Sequence, residues 1–164
     1  MTNPDARFLA YCILISCLLN ALSIVEIWWT SSFEHYSWII FLLWCMPLFF
    51  LAFSKEAREG HQFNPYLLGL AIIVSIAGLM GDMRALEYIG LSFALYAFIP
   101  GYSMSPIVWL FGSVSWMPGA SWFAAHLIPT YFEYFFIFRA CIAAFVGVWL
   151  TLHLIAQVNK RKAL

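Results

Sequence analysis

The sequence predicts an all-α, polytopic integral membrane protein with about six transmembrane helices and both termini cytoplasmic. Three observations carry that expectation. First, residues 131–158 form an apolar run that is followed at once by Lys160, Arg161 and Lys162. A helix rises about 1.5 Å per residue, so the run spans a hydrocarbon core of about 30 Å, and the basic tail holds its end on the cytoplasmic side. Second, 64% of the residues are hydrophobic and only 10% charged, where soluble domains carry about a quarter charged residues. A soluble core of this length could not absorb so much apolar surface, so lipid must cover much of it. Third, the charges are segregated. With the N-terminus inside, Arg7, Lys55, Arg58, Lys160, Arg161 and Lys162 are cytoplasmic and Arg84 alone lies in an outer loop. An even number of crossings agrees with basic residues at each end.

The elements follow in chain order as one transmembrane domain over residues 1–164, with no internal repeat and no low-complexity tract. The first apolar stretch runs from Phe8 to about Val25. It has Arg7 and a weak Ala21-Leu22-Ser23 cleavage pattern, but its apolar character continues through Trp28 and Trp29, so it reads as a retained helix. The second runs from about Ser37 to Phe53, the third from Tyr66 to Met80 and the fourth from Leu86 to Ile99. Pro65, Gly81 and Pro100-Gly101 punctuate the joins. The fifth, Ile107 to Ile128, is interrupted by Met117-Pro118-Gly119. It is either one kinked span or a short helix followed by an interfacial segment. The sixth starts near Tyr131, after Pro129. The longest polar link, Ser54 to Asn64, leaves no room for a soluble domain.

The acids fall opposite to the bases: Glu26, Glu34, Asp82, Glu87 and Glu133 sit at or near the outer face. Trp28, Trp29, Trp38, Trp116 and Trp122 cluster there as half of an aromatic belt. The pattern of basic residues suits the cytoplasmic (inner) membrane of a bacterium. A nucleic-acid partner is excluded by the lack of a basic patch beyond the tail.

Arg139 is the strongest candidate for a specific role. It interrupts the sixth stretch in its outer half, and an arginine at membrane depth costs at least about 2.5 kcal/mol on insertion scales. It therefore needs protein, water or an opposite charge. Glu133, six positions away on the same helix, lies on another face. Glu87 or Glu26, on other helices, is the expected partner, Glu87 ahead of Glu26, with a subunit or lipid anion as the alternative.

His126 and His153 are candidate ligand contacts, as interfacial anchors or as an axial ligand to a haem or pigment shared with another subunit. No pair of the four histidines has the spacing of a metal or haem clamp. Cys12, Cys17, Cys45 and Cys141 all lie in apolar runs without a CxxC, and read as small buried residues. Cys141 and Arg139 are two residues apart and so point to opposite sides of a helix. No metal set, phosphate loop or Gly-x-Ser-x-Gly elbow is present.

Packing signals are clearer. Ala140-xxx-Ala144, Ala143-xxx-Gly147 and Gly90-xxx-Ala94 permit close helix approach. Sixteen Phe, eight Trp and eight Tyr exceed what an interface belt needs, which leaves lipid-facing filler or a docking face for another subunit, lipids or pigments.

From about Glu34 to Pro129 the chain resembles the exosortase and archaeosortase family. The resemblance rests on Glu34-His35-Tyr36-Ser37 opening a helix, on Asn64-Pro65-Tyr66-Leu67-Leu68-Gly69-Leu70 and on Ile89-Gly90-Leu91-Ser92-Phe93-Ala94-Leu95. Pro106-Ile107-Val108-Trp109-Leu110-Phe111, leading to Met117-Pro118, completes it. The family's catalysis is attributed to a Cys, an Arg and a His in later helices, the Cys being followed by Ser-Gly. Here Arg139-Ala140-Cys141-Ile142 has neither after the cysteine, so no catalytic residue carries over. The resemblance implies a catalytically incomplete relative with a scaffolding or partner-binding role.

The expected function is a non-enzymatic membrane subunit or accessory protein, in contact with membrane lipids and other membrane subunits. No cofactor is required, though a lipid, haem or pigment could sit at a subunit interface. The alternatives are a reduced exosortase-like cysteine transpeptidase using Cys141, Arg139 and His126, and a small transporter or channel.

Overall fold

The computed structural model describes residues 4–32, 34–54, 63–99, 106–127 and 129–162; at 4–5, 122–123, 131–133 and 161–162 it describes the backbone alone. The described residues are mostly helical, with no strand among them. The elements are α1 (Pro4–Asn20), α2 (Ser23–Thr30), α3 (Ser37–Trp44), α4 (Met46–Phe53), α5 (Pro65–Met80), α6 (Arg84–Tyr96), α7 (Pro106–Val114), α8 (Ala120–Leu127), a 3-10 turn at Pro129–Tyr131 and α9 (Phe132–Lys162). Each apolar stretch of the sequence maps onto one helix or onto a broken pair.

Two of these segments are long and apolar enough to cross a membrane on their own: Ala6–Thr30, which runs through α1 and α2, and Tyr134–Lys160 within α9. Only 22% and 28% of their most apolar windows is buried inside the chain. The core helix of a soluble protein would be covered, whereas these turn most of their apolar surface outward.

The breaks have local causes. Pro47 sits at the start of α4 and has no N–H to continue the ladder from α3, so the second apolar stretch steps at Cys45. At residues 115–119 the chain leaves the helix altogether, with Gly119 at φ 101°, a left-handed conformation that side chains disfavour. The fifth stretch is thus two short helices, α7 and α8, separated by a turn.

Between α5 and α6 the turn is a Schellman closure. Met83 N–H bonds the Gly78 carbonyl at 2.8 Å, and Asp82 takes the left-handed position at φ 51°. Asn64 caps the other end of α5, accepting from the N–H groups of Tyr66 and Leu67, with Pro65 at the first helical position.

Small residues let the helices close. A Cβ on Gly90 would come within 2.9 Å of Ser75 Cβ, and one on Gly78 within 2.8 Å of Glu87 N, so α5 and α6 are in near-backbone contact. On α9, a Cβ on Gly147 would collide with the Leu43 carbonyl of α3. The small-residue faces on helices four and six of the sequence are therefore used inside this chain.

The core is aromatic. Trp44 and Trp109 stack with centroids 3.9 Å apart. Trp44 Nε1 donates to the Trp109 carbonyl and Trp109 Nε1 to the Ser92 carbonyl, at 3.2 and 2.9 Å. Trp28 and Trp116, expected in an outer belt, are buried in this cluster instead, because their rings fill the space beside Phe41. Trp29 and Trp38 are exposed, as a belt requires, and the Trp122 side chain lies outside the described residues. Outward-facing Phe8, Phe53, Tyr66, Met80, Phe138 and Phe145 make an apolar exterior well beyond the patches found on soluble monomers.

Candidate functional site

The turn that interrupts the fifth stretch creates a place for Arg139. A helix end leaves carbonyls without intrahelical partners, and α7 ends just before Ser115. Arg139, about two turns below the first residue of α9, reaches across and donates from Nε to the Ser115 carbonyl at 2.5 Å. Its Nη1 donates to Ser121 Oγ in the first turn of α8. Its Nη2 donates to Glu34 Oε2 at 2.9 Å and to Ser37 Oγ at 3.1 Å. The Phe135 ring, four residues earlier, lies 5.8 Å from the guanidinium carbon.

Glu34 is fixed from the other side. It lies three residues before α3; its carbonyl accepts the Ser37 N–H at 2.9 Å, and its Oε2 accepts the Ser37 hydroxyl at 2.5 Å. The carboxylate therefore stands at the N-terminal end of α3 and the guanidinium at the C-terminal end of α7. Each charge meets the helix end of opposite partial charge. Arg139 is 2% exposed and Glu34 4%, which places the pair in the interior. A guanidinium has five N–H groups, and the structure engages four of them within the chain.

The carboxylate of Arg139 is thus found in this chain, but it is Glu34 and not Glu87 or Glu26. Glu87 is buried on α6 against Gly78 of α5. Glu26 is exposed on α2, where its carbonyl accepts from Thr30 Oγ1. The Glu133 side chain lies outside the described residues. Glu34 had been grouped with the outer-face acids; its distinguishing signal was Ser37 one turn on, which together with Glu34 forms a small polar pair at the mouth of an otherwise apolar helix.

The two candidate histidines lie further along α8 and α9. His126 is exposed near the end of α8. His153 shares a 2.7 Å hydrogen bond with Gln157 and stacks on Trp149 along α9. Among the described residues no group of three His, Cys, Asp or Glu side chains is placed to hold a metal ion. All four cysteines are free thiols. Cys141 faces outward into a groove of about 420 Å³ between α7 and α9, walled by apolar side chains such as Phe111, Phe138 and Phe145. Arg139 faces inward, so the two point to opposite sides of α9. Neither Arg139 nor His126 lines the groove.

Two further polar contacts join four other helices, α1 to α5 and α2 to α6. Asn20 Nδ2 donates to Ser75 Oγ at 2.9 Å, and Ser23 Oγ lies 3.1 Å from the Tyr88 hydroxyl. Both flank the break between α1 and α2 and tie it to the α5–α6 hairpin. Comparison with protein-family models, with curated proteins and with solved structures finds no significant match to this chain.

Proposed function

We propose that this chain is an integral membrane protein of about six crossings, acting as a non-enzymatic subunit or accessory protein within a larger membrane assembly. The observation that carries this reading is the closure of the Arg139 cluster: the deepest charge is held by Glu34, Ser37, Ser115 and Ser121 of the same chain. An arginine engaged in this way acts as a clamp between helix ends. What remains for outside contact is an apolar and aromatic exterior, including Tyr134, Ile137, Phe138 and Phe145 along α9. A lipid or pigment in such an assembly would lie against that exterior.

The transpeptidase alternative needs a nucleophile and base within hydrogen-bond reach. Cys141 opens on an apolar groove that His126, the candidate base, does not line, and the Arg139 guanidinium stays protonated and cannot serve as the base. A transporter needs its charged site open to a polar path, and here the charge is closed upon itself.

The test is site-specific photo-crosslinking in native membranes, with the reactive residue placed at Phe145, at Tyr134 and, on a different face, at Tyr66. A single protein adduct of fixed mass from the α9 positions supports the subunit reading. Adducts only to lipid at all three positions, together with a monomer on gentle extraction, would sink it.

A further inference from the structure

We propose that the Arg139 cluster contains a binding site for one neutral hydroxyl oxygen, shared between Glu34 Oε1 and the indole N–H groups of Trp28 and Trp116. These three polar atoms are fully buried, and no group among the described residues bonds any of them. Ring contacts and hydrogen bonds link their residues in one chain of neighbours. Trp116 directly follows Ser115, whose carbonyl takes the Arg139 Nε bond. The Trp28 ring meets the Trp116 ring edge-on with centroids 6.5 Å apart. Phe41, one turn along α3 from Ser37, touches both rings, at 5.6 and 5.1 Å. Ser37 in turn bonds the other oxygen of the Glu34 carboxylate.

Native interiors leave few buried polar groups unpaired, because each costs the full loss of its hydration. The unmet capacity here is one acceptor and two donors. A hydroxyl complements that set: one O–H for the Glu34 oxygen and two lone pairs for the two indoles. Other ligand classes fail on charge or valence. An anion would face the Glu34 carboxylate. A cation would face Arg139 and two N–H dipoles. A carbonyl could take both indoles but has nothing to give Glu34. The same chemistry can come from a water molecule or from the hydroxyl of a small alcohol such as glycerol.

The experiment uses the full chain in lipid nanodiscs with its tryptophan indole nitrogens labelled, read by proton–nitrogen NMR. Trp28→Phe and Trp116→Phe assign the two resonances and leave the ion pair whole. The inference expects both N–H groups shifted to the hydrogen-bonded side, each with a cross-peak to a hydroxyl proton. Cross-peaks that persist in alcohol-free buffer identify water. Cross-peaks that form only on titration with glycerol, and saturate, identify an alcohol. In Glu34→Gln both should be lost or moved, while the Trp44 and Trp109 indoles, bonded to backbone carbonyls, stay in place. Should Glu34→Gln fail to fold, the cross-peaks in the parent chain decide alone. A cross-peak at only one indole or at neither overturns the shared site, as would upfield N–H positions marking indoles aimed at ring faces.

Discussion

Four partners from two helices and two turns converge on one guanidinium, so the consequences of losing Arg139 depend on what is left behind. In Arg139→Leu the Glu34 carboxylate stays buried with Ser37 as its remaining donor. Breaking a buried pair by removing one partner costs about 3–5 kcal/mol, and a loss of that size in the unfolding free energy of the detergent-solubilised chain is expected. Arg139→Lys should recover little of it. A single ammonium cannot reproduce a planar fork that reaches the Ser115 carbonyl, Ser121 and Glu34 together. The double replacement Arg139→Leu with Glu34→Leu should return most of the stability, because no charge is then stranded. If the double variant is as unstable as Arg139→Leu, the pair is not the source of the loss. Glu87→Gln should leave the response to Arg139→Leu unchanged, since Glu87 lies elsewhere. That Arg139 needed a partner was legible from its apolar surroundings. The identity of the partner was not: the link between the first two stretches has no periodicity to fix its depth, so Glu34 looked equivalent to the other outer acids.

At the level of elements, the glycines separate into those that permit a helix contact and those that do not. Gly147 admits the Leu43 backbone of α3, and its Cβ would strike that carbonyl. Gly147→Ala should therefore push α9 from α3 and lower the unfolding midpoint. Gly69, in the middle of α5, has nothing within 4 Å of its would-be Cβ. Gly69→Ala should hold or raise stability, by up to about 1 kcal/mol, through the helix preference of alanine. Equal losses in the two variants, measured in one detergent, would remove the close-approach account of Gly147. The small-xxx-small spacings were visible in the sequence, because spacing alone puts those residues on one face. What they pack against was not visible, and they serve contacts within the chain. The breaks divide in the same way. Pro118-Gly119 announced the interruption between α7 and α8. The step at Ala21–Leu22 has no Pro or Gly; it coincides with Asn20 and Ser23, whose side chains bond Ser75 and Tyr88 across the bundle.

For the whole molecule, the six-span topology proposed above gives each charged group a side of the bilayer. The Arg139 cluster, the α5–α6 turn with Asp82 and Arg84, and the end of α2 with Glu26 would share the outer side, and Lys160 the inner. The aromatic load, which the sequence left between lipid-facing filler and a docking face, divides between the two faces of the bundle: Trp28, Trp44, Trp109 and Trp116 build its interior, while Phe8, Phe53 and Phe145 cover its outside. Composition could show that so many rings exceed a belt, but it carries no direction, and α1 and α9 show no strongly apolar stripe from which inside and outside could be told apart. The arrangement makes a definite prediction about labelling. With the four native cysteines changed to alanine, Met83→Cys in the exposed α5–α6 turn should react in intact cells with a maleimide that cannot cross the membrane. Lys160→Cys should react only after the membrane is opened. Both positions are exposed, so a failure to label cannot be blamed on burial. Labelling of both positions from one side would mean that the segments between them cross an even number of times, which would end the six-span topology while leaving the Arg139–Glu34 clamp untouched.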